Sequence, residues 1–136
     1  MDGYSKKSLI EKLGIKENYR LLIIDSPKNY FYTLGKLPDS VKVDEKIKGS
    51  YDFIQFFIKD KKELAKKFPV LKKALVANGS LWISWPKGPS GIIVDINENI
   101  VREIGLKNGL VDIKIVAVDN IWSGLKFVLR LKDRKQ

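Results

Sequence analysis

Apolar residues follow two rhythms along the chain. In Arg20–Asp25 (RLLIID), Tyr51–Lys59 (YDFIQFFIK) and Ser80–Trp85 they form short continuous runs rich in β-branched and aromatic residues. Runs of that length and content predict strands buried on both faces of a sheet. Between them the rhythm is helical. Leu9, Ile10 and Leu13 share one face of a helix predicted over Ser5–Leu13, with Ser8 and Glu11 at capping-box spacing and Gly14 as its stop. Asn29–Leu34 reads as a brief aromatic helix, Val41–Asp44 as a short strand and Lys46–Ser50 as a polar turn. Over Asp60–Ala77, Leu64, Phe68, Leu71 and Leu75 fall within about 60° on a helical wheel, opposite Lys62, Lys66 and Lys73. Pro69 predicts a break or kink after Lys67, and Asn78-Gly79 predicts the end of that helix. A loop over Pro86–Gly91 (PKGPSG) follows the Ser80 strand. The next helix is expected over Asn97–Lys107, capped by Asp95 or Asn97 and stopped by Gly109. Val111–Val118 and Leu125–Leu131 are strands joined by Asp119–Gly124 (DNIWSG), a link short enough to require an antiparallel hairpin.

Strands alternating with helices predict an α/β domain of three layers: a mostly parallel sheet with right-handed crossovers, ending in a C-terminal antiparallel hairpin. The 136 residues suit one domain, with no internal repeat or linker, and 44% hydrophobic content is enough for a core. The absence of cysteine and histidine excludes more chemistry than any motif suggests. It rules out zinc fingers, thiol nucleophiles, Ser-His-Asp triads and disulfide frameworks, and no metal site is expected. Carboxylates, lysine, hydroxyls and backbone groups remain. No stretch has the roughly 18 apolar residues of a spanning helix, and the N-terminus lacks the apolar segment of a signal peptide. A cytoplasmic protein with no membrane partner is expected, and nothing in the pattern sets an oligomeric state. The formal charge is +10, carried by 22 Lys and only 4 Arg. Arginine is the residue of bidentate phosphate recognition, so this balance predicts a solvated basic surface whose nucleic-acid binding is weak and nonspecific.

Parallel strands closed by a hairpin whose last strand inserts between its two predecessors resemble a class I methyltransferase fold. The unit is shortened, because one strand–helix pair that such enzymes carry before Tyr51 has no room here. From Tyr4 to about Leu131 the chain also resembles a bacterial, single-domain, Rossmann-like family of unknown function. The matching pieces are YSKKSLIEKLGIK, LWISWPK at Leu81–Lys87, VREIGLKNGLVDIKIVAVD at Val101–Asp119 and WSGLKF at Trp122–Phe127. That resemblance implies the fold and a bacterial origin, and brings no activity. The methyltransferase resemblance implies a glycine-rich turn after the first strand, where the backbone approaches S-adenosylmethionine. This chain has Asp25-Ser26-Pro27-Lys28-Asn29-Tyr30 there, with no glycine until Gly35, so no cofactor is expected. Such enzymes also hold the ribose on an acid after the second strand; Asp44 or Glu45 stands there, as that acid or as a solvated turn residue.

In open α/β sheets ligands bind beyond the carboxyl ends of the strands. The loops expected at that edge bring Asp25, Lys28, Asp60, Trp85, Lys87, Ser90, Asp119, Trp122 and Ser123 together as candidate ligand-binding residues. Two tryptophans, lysines and carboxylates suit a pocket for a small anionic molecule. The alternatives are rim packing for the tryptophans and turn capping for Asp25 and Asp119. Lys87, between Pro86 and Gly88-Pro89, is expected beside Trp122 and free of the core. A basic module for nucleic acid or an acidic protein, centred on the lysines of 61–73, is the second functional reading.

Overall fold

The computed structural model describes residues 7–134. Its strands are β1 (Arg20–Ile24), β2 (Lys42–Asp44), β3 (Tyr51–Phe57), β4 (Leu75–Pro86), β5 (Leu110–Ala117) and β6 (Trp122–Leu129). The helices are α1 (Leu9–Leu13), α2 (Tyr30–Leu34), α3 (Lys61–Lys73) and α4 (Glu98–Lys107). All six strands form one sheet in the order β2-β1-β3-β4-β6-β5. Pairings among β1 to β4 are parallel, whereas β6 runs antiparallel to both β4 and β5. The closing strand thus inserts between its predecessors, as expected.

Alternation along β3 shows why its run is continuously apolar. Ile54 and Phe56 point to one face, where Leu64, Phe68 and Leu71 of α3 and Val101 and Ile104 of α4 cover them. Phe53 and Phe57 point to the other, under Leu13 of α1 and Tyr30 and Leu34 of α2. A strand with helices on both sides has no wet face, so polar alternation disappears.

Local signals set the helix ends. Ser8 and Glu11 form both halves of a capping box on α1, and Gly14 takes the left-handed conformation that closes it. Ser5, the expected start of that helix, lies outside the described residues. Asn97 caps α4. Asp95 works elsewhere: its carboxylate accepts the Lys61 backbone N–H at 2.8 Å, at the start of α3.

Three expectations change. First, α3 runs through Pro69 without a break. Pro69 and Ala65, whose carbonyl loses its helical donor, are both exposed, so water can serve that carbonyl. Second, α3 stops at Lys73 instead of continuing to Asn78-Gly79, and Leu75 to Gly79 open β4. The Tyr51 N–H donates to the Ala74 carbonyl at 2.8 Å, and Tyr51 then pairs with Leu75, so strand pairing captures the segment from the helix. Gly79 is needed there, since a Cβ would lie 3.0 Å from the Asp52 carbonyl oxygen. Third, β6 begins at Trp122, which makes Trp122 and Ser123 strand residues rather than loop residues.

The strand–helix pair expected to be missing before Tyr51 is replaced by a crossover of six residues, 45–50. Parallel strands ordinarily need a dozen or more. The brevity of β2 permits it, and one cluster holds it. The Tyr51 hydroxyl donates to Asp44 Oδ2 at 2.5 Å and accepts the Lys48 N–H at 2.9 Å. Arg20 reaches Asp44 at 3.4 Å and lies over the Tyr51 ring. The Tyr51 hydrogen bond, aided by Lys48 and Arg20, outweighs partial burial and holds the Asp44 carboxyl below its ordinary range. Tyr51→Phe should therefore lower stability by about 1 kcal/mol in urea denaturation at neutral pH. A depressed folded pKa contributes stability that is complete above the unfolded value of 3.8 and is lost as pH falls through the folded value. The variant should show a shallower acid-side loss than the parent; an unchanged acid limb would mean that Tyr51 does not set the Asp44 titration.

Candidate functional site

At the carboxyl ends of β1 and β3 the chain encloses a cleft of about 490 Å³, lined by Asp25, Ser26, Pro27 and Lys28 after β1, Phe57, Ile58 and Lys59 after β3, Glu63 of α3 and Trp122. The β1 turn is built without glycine. Asp25 (φ 58°) and Asn29 (φ 66°) supply left-handed bends that Asp and Asn tolerate, and Pro27 stiffens the span between. Every residue from 25 to 29 therefore carries a side chain, and those of residues 25–28 line the cleft.

The floor is aromatic. Phe57 meets Trp122 edge to face at 5.2 Å and Tyr30 at 4.8 Å. Beneath it the Tyr30 hydroxyl donates to Gln55 Oε1 at 2.6 Å, and Gln55 Nε2 donates to Ser84 Oγ at 3.1 Å. Gln55 and Ser84 are fully buried. Burial pushes the Tyr30 phenol pKa well up, with Asp119 adding and the Gln55 bond opposing, so Tyr30 stays a neutral donor. The walls carry charge. Lys28 and Lys59 are exposed and have no ion-pair partner among the described residues. Glu63 is paired with Lys67 at 3.1 Å, which offsets its negative charge.

Of the nine residues singled out from sequence, Asp25, Lys28 and Trp122 line this cleft. The others have local work. Asp60 caps α3 by accepting the Glu63 N–H. Asp119 Oδ1 accepts the N–H groups of Ile121 and Trp122, an Asx turn. Ser90 Oγ accepts the Ile92 N–H, and Ser123 pairs in the sheet with Trp85 and Ala117. Lys87 lies at the same edge as Trp122, since Pro86 pairs with Trp122 and the Lys87 N–H donates to the Ile121 carbonyl at 2.7 Å. Its ammonium, however, donates to the Asp119 carbonyl at 2.9 Å. Lys87 is a strut for the β5–β6 turn, so replacing it would act on that turn. Trp85 is buried against the α3–α4 side and Trp122 against the α1–α2 side, because their neighbouring strands present them to opposite faces.

Asp44, a potential ribose acid, is engaged by Tyr51 and Arg20. Sequence reasoning missed Phe57, Lys59 and Glu63. The polar residues directly after the aromatic run were a signal for Lys59; nothing local marked Glu63. On α3, Lys67 is held by Glu63 and lies over the Phe56 ring, and the Lys72 ammonium donates to the Asn108 carbonyl at 2.6 Å. Lys61, Lys62, Lys66 and Lys73 remain exposed. Among the described residues no helix is long and apolar enough to cross a membrane.

No family model matches the chain, and no curated protein does. Solved structures do. DhpI in its complex with SAH is similar over 91% of this chain and 83% of its own, at 10% identity and a TM-score of 0.63. A S-adenosylmethionine-dependent methyltransferase from Clostridium acetobutylicum ATCC 824 matches over 89% of each chain, at 11% identity and a TM-score of 0.55. Magnesium protoporphyrin IX methyltransferase (ChlM) from Synechocystis PCC 6803 with bound SAH matches over 66% of this chain at 15% identity and a TM-score of 0.52. The chain spans about half of that enzyme's length, 51%. At these identities the likeness establishes architecture, and the chain has a Rossmann-like, class I methyltransferase-like fold.

Proposed function

We propose that the strand-end cleft binds a small anionic molecule and that the protein does not carry out S-adenosylmethionine-dependent methyl transfer. The observation that supports the first part is the pair of ammonium groups of Lys28 and Lys59, without ion-pair partners among the described residues, at an aromatic floor of Phe57 and Trp122. An apolar floor excludes water from one side of a charge contact and strengthens it, and flat rings accept an apolar or planar portion of a ligand. Asp25, exposed at the mouth, is placed to accept a hydrogen bond from a ligand hydroxyl or amine.

The second part rests on fit. S-adenosylmethionine needs close backbone approach at the β1 turn, where Ser26, Pro27 and Lys28, none of them glycine, line the cleft instead. Asp44, one of the two acids that could hold its ribose, is engaged by Tyr51 and Arg20 at the crossover. Calorimetric titration with S-adenosylmethionine should give no binding; low-micromolar affinity would overturn this part.

For the first, amide NMR titration with inorganic phosphate, a nucleoside monophosphate and succinate should shift residues 25, 26, 28 and 57–59. Lys28→Ala/Lys59→Ala should weaken the best of them about tenfold, as loss of charge-assisted contacts predicts. Lys66→Gln, on the exposed face of α3, should leave the affinity unchanged. Shifts that are absent, or identical in the double variant, would refute the assignment.

A further inference from the structure

One face of the β5–β6 hairpin presents an arrangement that folding does not explain. Lys114 and Lys126 are directly opposite across the two strands, and β5 is the edge of the sheet. Their face is the one that carries Trp122 and, across β4, Trp82, whose indole N–H donates to the Leu13 carbonyl of α1. Lys126 pairs with Trp82 in register and is half-buried beside it. Lys16 follows α1 on this side, and every charge acting on Lys126 is positive. Partial burial, then Lys114 and Lys16, push its pKa down, with no carboxylate among the described residues offsetting them.

Like charges directly opposed on neighbouring strands are destabilising. A local rule broken without a compensating contact marks a site whose partner is missing. The partner must be anionic. We propose that the open face of the β5–β6 hairpin, with Lys114 and Lys126 paired across the strands and Lys16 beside them, docks the phosphate backbone of duplex nucleic acid.

Two observations favour that occupant over an acidic protein, and a third favours a duplex over a single strand. Lysine is depleted at protein interfaces, and the tryptophans of this face, Trp82 and Trp122, are buried in the core, so the accessible part offers a partner no aromatic anchor beside the half-buried valines Val111, Val116 and Val128. A register shift between Asp112 and Lys114 puckers the outer strand, which works against addition of a peptide strand. Phosphates, by contrast, need only positioned point charges. β5 has no aromatic residue and Phe127 of β6 is buried on the other face, so stacking of single-stranded bases has no platform. The surface is distinct from the cleft, since Lys126 lies about 13 Å along β6 from Trp122 at ordinary strand rise.

The test is fluorescence anisotropy with a short labelled DNA duplex across about 50 to 200 mM salt. The parent chain should bind at the low end and lose most of its affinity at the high end, without sequence preference. Lys114→Gln/Lys126→Gln should weaken low-salt binding about tenfold and reduce the slope of log affinity against log salt by about two, the counterions of two phosphate contacts. It should also melt no lower than the parent, because repulsion is relieved; Lys114→Gln alone, an exposed change, keeps the test valid if the pair misfolds. Lys62→Gln/Lys66→Gln on α3 removes the same charge and should matter clearly less. Equal loss in both pairs, no duplex binding by the parent, or tighter binding of polyglutamate at matched charge would overturn the proposal.

Discussion

Gly105→Ala should destabilise the protein by about 2 kcal/mol, although alanine is the better helix former by about 1 kcal/mol. Gly105 is buried in α4, and a Cβ there would stand 2.0 Å from Cε1 of Phe127. The ring cannot swing away. Phe127 is fully buried, packs edge to face on Phe68 at 5.6 Å and belongs to a strand paired on both sides. Either α4 lifts from the sheet or Phe127 leaves its rotamer, and both separate α4 from the core it shares with α3. Urea denaturation measures the loss. Shortening the ring by Phe127→Leu opens a gap on its own, yet the double variant should be more stable than the sum of the two single losses predicts. A stabilised Gly105→Ala, the usual outcome at an exposed helical glycine, would show that α4 can move without cost.

The second large effect is expected beneath the cleft. Gln55→Leu strands the Tyr30 hydroxyl and also takes the Nε2 donor from Ser84 Oγ, a loss the double variant keeps, and Tyr30→Phe strands Gln55 Oε1, each in surroundings closed to water. A buried group left unsatisfied costs about 1–3 kcal/mol, so each single change should cost about 2 kcal/mol. Combining them removes donor and acceptor together, and the double variant should lose far less than the two losses added. Strict additivity would mean that the two groups do not depend on each other. Since Tyr30 supports Phe57 and Phe57 supports Trp122, the single variants should also alter the tryptophan emission, a readout that reports on the cleft floor.

The architecture was legible because it rests on patterns within single segments. Continuous apolar runs at Arg20, Tyr51 and Ser80 meant strands covered on both sides, Ser8 with Glu11 meant a capped helix, and the short link after Val118 meant a hairpin. The crowded residues between Asp25 and Asn29 likewise made the departure from a glycine-built cofactor turn visible before any coordinates. Each of these depends on residues adjacent in the chain, and burial or capping acts on them in the same way whatever lies elsewhere.

Tertiary contacts decided the rest. Leu75 fits the helical wheel of α3 and nonetheless pairs with Tyr51, because a strand partner supplies hydrogen bonds that one more helical turn would only duplicate. Pro69 stays within α3 because the carbonyl it deprives is on the exposed side. The site divided in the same manner. Lys87 and Asp119 are at the predicted edge, but the Lys87 ammonium is taken by the Asp119 backbone carbonyl and the Asp119 carboxylate by the N–H groups of Ile121 and Trp122, whereas Glu63 reaches the cleft from α3, where nothing local marks it. The opposition of Lys114 and Lys126 exists only once the register of the hairpin is set. Residue order determines which segments become strands or helices, since that choice is governed by local burial and capping. Which side chains end up free to meet a ligand depends on what their neighbours in space have already claimed, and only the folded chain brings those neighbours together.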